Sequence, residues 1–129
     1  QLTQLISRQY GFSFEEAEAK KLGGDLPEDY ESAILTPFVD SLSQEIGRAL
    51  QYFFTSTPHH KVHYVMLAGG TAALPGLKDR VTDLTGFASM VVNPFEQMKL
   101  GSAVREARVR REAPSYLTAC GLAMRRFVQ

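Results

Sequence analysis

A mixed α/β fold with a helical first part follows from three observations on this 129-residue sequence. The second half alternates strand-like and helix-like patterns, and the first half shows helical periodicity only. Some 44% of the residues are hydrophobic, which suffices for a compact domain with a real core. Strands that alternate with helices imply parallel pairing, because a crossover must carry the chain back before the next strand can run the same way.

The elements follow in order. Leu2, Leu5, Ile6 and Tyr10 fall at helical spacing, and Gly11 stops that helix. Ser13 and Glu16 form the S-x-x-E pattern of a capping box, so a second helix is expected from Phe14 to the pair Gly23-Gly24. "DLPEDYES" (25–32) reads as a loop. Thr36 and Pro37 then look like an N-cap and first helical residue. The helix that follows carries the widest apolar stripe, including Phe38, Val39, Leu42, Ile46, Leu50 and Phe53, and "STPHHK" (56–61) breaks it.

"VHYVMLA" (62–68) is short, apolar and rich in β-branched residues, the profile of a buried strand. Leu77, Val81 and Leu84 mark an amphipathic helix closed by Gly86. "FASMVVN" (87–93) is the second strand, stopped by Pro94. Residues 95–114 are charged and lack a stripe, so a loop with short helical turns is expected. The last element, "SYLTACGLAMRRFVQ" (115–129), is helical, with the small residues Ala119, Gly121 and Ala123 on one side. The expected division is a helical part at 1–57 and an α/β part at 58–129.

Composition excludes several classes. Fourteen basic and 14 acidic residues cancel, and nothing in the composition suggests a nucleic-acid binder, which would need a basic face. The single cysteine, Cys120, cannot form an intrachain disulfide and is expected to be a buried structural residue. No run reaches the roughly 18 apolar residues of a spanning helix. The chain lacks an initial Met and opens inside a helical pattern, so it is expected to be a piece of a longer protein. His59, His60 and His63 form H-H-x-x-H without the general-base Glu of the zinc-protease motif, and read as a polar edge before a strand. No metal site and no catalytic residue is expected. Arg105, Arg108, Arg110 and Arg111, with Glu106 and Glu112, read as a solvated charged segment.

The most informative stretch is "VMLAGGTAALPGL" (65–77), in which an apolar strand ends in Gly69-Gly70-Thr71. A tight turn at positive φ explains two glycines there as well as ligand contact does. A glycine turn before a helix also offers free N–H groups and an unobstructed backbone to a phosphate or nucleotide. The Walker pattern fails, because one residue too many separates Gly70 from Gly76 and Leu77 stands in place of Lys. The Rossmann G-x-G-x-x-G is absent.

The stretch resembles the adenosine motif of the actin-like ATPase superfamily, in which an apolar strand ends in Gly-Gly-[Ser/Thr] before a helix. Two other segments resemble that superfamily in the same order. "AEAKK" (17–21) is similar to its A-E-x-x-K helix, with Glu18 and Lys21 on one face. Taken on their own, those two residues are better explained as an ordinary surface ion pair. "ACGLAMR" (119–125) is similar to its connect-2 helix, where Gly121 would permit close packing at a hinge. The resemblance implies the C-terminal portion of an actin-like (ribonuclease H-like) ATPase domain: parallel strands with packed helices, plus a helical subdomain. Within the superfamily, nearly the whole chain resembles the PilM family of type IV pilus assembly proteins. The FtsA family of cell-division proteins shares the same three signals.

The resemblance implies an ATP site in which Gly69, Gly70, Thr71 and Leu74 lie beneath the nucleoside while Glu18 and Lys21 approach it from the opposite side. The Mg²⁺ and phosphates would be held by two phosphate hairpins outside this chain, so the chain alone is expected to be inactive. Ala73 stands where the chaperone branch carries an adenine-stacking arginine. The resemblance further implies a cytoplasmic scaffold at the inner face of the inner membrane, not itself inserted. Its expected partners are the tail of a PilN-type membrane protein and other pilus assembly proteins.

Overall fold

The structure, a computed structural model, describes residues 1–125; the part of the expected last helix at 126–129 lies outside the described residues. The chain divides into two compact units, Gln1–Leu42 and Ser43–Gln129. Their junction lies inside the long helix, whereas the sequence pattern places it at 57/58.

The first unit is helical. Helix α1, Leu2–Tyr10, ends at Gly11 with φ 71°, a left-handed cap that glycine adopts without a Cβ penalty. Helix α2, Phe14–Gly23, starts on the expected capping box. The Glu16 N–H donates to Ser13 Oγ at 3.2 Å, and the Ser13 N–H donates to Glu16 Oε2 at 2.9 Å. Both bonds satisfy amides that would otherwise be orphaned at the helix start. Leu2 and Ile6 of α1 and Ala17 of α2 are buried, together with Ile34, Leu35 and Val39.

The loop expected at 25–32 closes early. A π-helical turn, Glu31–Leu35, runs directly into α3, Thr36–Ser56. Thr36 is therefore no N-cap: it has helical angles, and its N–H donates to the Glu31 carbonyl five residues back. The reason lies in Pro37. Inside a helix, proline lacks a donor and its ring presses on the carbonyl four residues earlier. Widening the preceding turn to five-residue spacing relieves that contact, so the helix passes through the proline instead of starting at it.

The second unit contains the α/β layer. Strand β1, Val65–Leu67, runs parallel to β2, Ser89–Val91, in the register Val65–Ser89, Met66–Met90 and Leu67–Val91. Helix α4, Leu77–Thr85, is the crossover, with Leu77 and Val81 buried and Gly86 as its left-handed cap. Helix α5, Glu106–Glu112, a 3-10 turn at Ala113–Tyr116, and helix α6, Leu117–Met124, follow. Residues 95–114 thus match the expected loop with short helical turns.

Three expectations change here. The strands are not buried on both faces: Leu67 is covered, but Tyr64 and Met66 are more than half exposed. A two-stranded layer has one helix-covered face and leaves the other open. The small residues Ala119, Gly121 and Ala123 of α6 are exposed, and a Cβ added at Gly121 meets nothing within 4 Å, so among the described residues no close helix contact explains them. Cys120 is half-buried rather than buried.

Two stability outcomes are expected. Ser13→Ala removes the Ser13 Oγ acceptor of the Glu16 N–H while leaving the Ser13 N–H bonded to the Glu16 carboxylate, and should cost about 1 kcal/mol in chemical denaturation, whereas Ser13→Thr retains most of the cap. Ser43, in α3, is fully buried, and its hydroxyl has no partner among the described residues. Ser43→Ala should therefore raise stability by up to about 1 kcal/mol, because an unpaired buried hydroxyl is a cost.

Candidate functional site: a glycine strand end and a threonine-held ion pair

The strand end is built by backbone geometry. Gly69 has φ 95° and ψ 167°, a region closed to residues with a Cβ. It turns the chain out of β1 into a 3-10 turn, Gly70–Ala73. The Gly69 N–H donates to the Pro114 carbonyl at 2.8 Å, and the Gly69 carbonyl accepts from the Ala72 N–H at 3.0 Å. The Leu74 N–H then donates to the Thr71 carbonyl at 3.1 Å. Ala72 is buried, so the turn is anchored from below, while Gly70 and Thr71 face outward and Leu74 is half-buried.

The two glycines differ in kind. Gly69 is required by conformation. Gly70 has no positive φ, and a Cβ added there would meet nothing within 4 Å. Among the described residues neither backbone strain nor packing accounts for Gly70, which is exposed to open space. The four strand-end residues Gly69, Gly70, Thr71 and Leu74 lie together in the second unit.

Glu18 and Lys21 lie in the first unit, one helical turn apart on α2. They form a 2.6 Å ion pair with side chains 39% and 26% exposed. A third residue, which the sequence reading missed, joins them. The Thr3 hydroxyl is buried at 6% exposure; it donates to Glu18 Oε2 at 2.6 Å and accepts from Lys21 Nζ at 2.9 Å. Thr3 sits in α1, fifteen positions from Glu18, so only the packing of α1 on α2 brings it there. The one signal in the sequence was a polar residue between Leu2 and Ile6 on the buried face of α1.

The pair is thus preset. Hydrogen bonds from Lys21 first, and from Thr3 second, hold the Glu18 carboxyl below the ordinary carboxylate range. The histidine motif forms no ligand set: among the described residues no group of three His, Cys, Asp or Glu could hold a metal. The His59 ring stacks on Phe53 instead, with centroids 6.2 Å apart. The charged segment is laced internally, with Glu106 bonded to Arg110 and Glu112 to Arg108.

A helix-rich α/β chain with a small parallel sheet, a glycine-lined strand end and a preset acid–base pair on a capped helix defines the class. The family model of the type IV pilus assembly protein PilM matches residues 1–127. The chain belongs to that family. A solved chain described as the PilM-PilN type IV pilus biogenesis complex is similar at 27% identity with a TM-score of 0.72; the match covers 96% of this chain and 35% of the solved one. The chain therefore spans about a third of the length of the structure it matches.

The Thr3 bridge has a measurable signature. A carboxylate whose folded pKa lies below its unfolded value of about 4.3 stabilises the fold above that pH, and the contribution is lost as pH falls through the folded value. Thr3→Val removes one of the two donors, so Glu18 should titrate closer to about 4.3 and the acid loss of stability should shrink. Carboxyl ¹³C NMR titration with acid unfolding checks both, and Thr3→Ser should restore the wild-type values.

Proposed function

We propose that this chain serves as the C-terminal region of a PilM-type ATP-binding scaffold in type IV pilus assembly. In that reading the scaffold works at the inner face of the inner membrane and links the tail of a PilN-type membrane protein to the pilus machinery. Membership of the PilM family supports the assembly role. The association of the similar solved protein with PilN supports the partner. Among the described residues no helix is long and apolar enough to cross a membrane, which suits attachment through a partner.

The observation that carries the nucleotide part is Gly70, a glycine with open space beyond it and no conformational reason to be glycine. In this reading Gly69, Gly70 and Thr71 present backbone beneath the nucleoside, and Leu74 adds an apolar contact. Glu18, oriented by Thr3 and Lys21, is an acceptor for ribose hydroxyls, and Lys21 is a donor. ATP supplies the triphosphate, and its Mg²⁺ belongs with segments outside this chain.

A second reading keeps the same fold as a protein-interaction scaffold with a degenerate nucleotide site. Ala73 in place of an adenine-stacking arginine favours it, as does a Glu18–Lys21 pair already satisfied within its own unit.

Gly70→Val separates the two. The substitution adds a side chain into open space at a compatible φ, so the fold should stand with an unchanged circular dichroism spectrum and melting midpoint. In the full PilM-type protein, equilibrium binding of Mg-ATP should fall by more than about tenfold, some 1.4 kcal/mol. Undiminished affinity in the variant would remove this loop from the nucleotide site. Absence of binding by the wild type would select the scaffold reading.

A further inference from the structure

The second unit carries a feature that the nucleotide reading leaves unused. A groove of about 580 Å³ lies between the C-terminal half of α3 and the corner where α4 leads into β2. Its closest approach is at Gly47, where a Cβ would stand 2.9 Å from Leu84 Cδ2. Glycine at that position lets α3 meet the end of α4 without displacing Leu84. Leu50 and Phe54 supply apolar walls from α3, and Phe54 meets Phe87 with ring centroids 5.8 Å apart. Leu84 remains 40% exposed although it borders this apolar surface.

Length and charge define what the groove takes. Its α3 wall runs from Gln44 to Thr55, roughly 17 Å or about three helical turns at 1.5 Å per residue. That span matches a short amphipathic helix with apolar anchors at i, i+3 or i+4, and i+7. The trough is open along its length, so it would not enclose most of a small ligand, as small-molecule sites do. Arg48 is exposed on the groove wall and has no ion-pair partner among the described residues, whereas Arg108, Arg110 and Arg111 of the same unit all pair with glutamates. An unpaired guanidinium beside apolar walls is complementary to a carboxylate, and a partly desolvated pair of that kind gives specificity. We propose that this groove docks a short helical segment of a partner protein, with its apolar anchors against Leu50, Phe54 and Leu84 and a carboxylate opposite Arg48.

The test is a selection of displayed helical peptides of roughly 14 residues, about four turns, against the full PilM-type protein that contains this chain. The enriched sequences are then measured by fluorescence anisotropy. Enrichment of apolar residues at helical spacing with one Asp or Glu is expected. Binding should weaken about tenfold or more in both Arg48→Glu and Leu84→Glu, and changing the peptide carboxylate to Lys should recover affinity for Arg48→Glu. Unchanged melting midpoints in the two variants exclude misfolding, and Leu50→Ala provides a milder third variant if Leu84→Glu fails to fold. Failure to enrich any peptide, or enriched peptides indifferent to these substitutions, would overturn the proposal. So would binding of dodecanoate without peptide binding, which would put a small amphiphile in the groove. Self-association of the chain abolished by Leu84→Glu would assign the groove to a second copy and overturn it as well.

Discussion

The backbone of Gly69 is the constraint on which the α/β unit depends. Strand β1 must end abruptly, because the chain has to leave the sheet, pass through a 3-10 turn and enter α4 within a few residues. A left-handed angle at φ 95° makes that exit, and only a residue without a Cβ adopts it without strain. The same residue ties three segments together. Its N–H reaches the Pro114 carbonyl and its carbonyl receives the Ala72 N–H, so the strand, the turn and the 113–116 segment share one anchor. Ala72 and Ala113 are both almost fully buried, and their small side chains permit that approach. Gly70 and Thr71 are left facing outward above that anchor.

The first unit solves a different problem with polar groups. Thr3, Glu18 and Lys21 close a three-member network across two helices. The buried Thr3 hydroxyl both donates and accepts there, so neither its hydrogen nor its oxygen is left without a partner. The contrast with α5 is instructive. Its Arg108–Glu112 and Arg110–Glu106 pairs are at helical spacing, but the arginines are about two-thirds exposed. Such pairs hold a helix face together and contribute little to the fold. Orientation by a buried third group distinguishes a preset pair from a solvated one.

Family membership and local geometry bear on different levels. The match across residues 1–127 places the chain with the type IV pilus assembly protein PilM. It does not say which residues would meet a ligand. The two adjacent glycines differ in kind: Gly69 is explained by its own φ, and Gly70 by no contact among the described residues.

Elements with strictly local causes were legible in the sequence. The capping box at Ser13 and Glu16 and the left-handed glycines at 11, 24 and 86 depend on residues within a turn or two of each other; the two strands and their crossover helix showed in their own hydrophobic patterns, although β1 and β2 pair across the helix between them. Pro37 was misread because its local signal, a helix start, is reversed by a π-turn that forms from the residues before it. Strand burial was misread because apolar composition does not report how many layers cover a sheet; Met66 and Met90 are apolar and exposed. Thr3 was invisible because its partners lie on another helix. Sequence alone determined the order and type of the elements and those boundaries set by a capping box or a left-handed glycine, since those rest on short-range sterics and backbone hydrogen bonding. Tertiary structure decided that Thr3 holds the ion pair, that Gly47 admits Leu84, and that Gly70 faces open space, since each is a contact, or the absence of one, between residues distant in the chain.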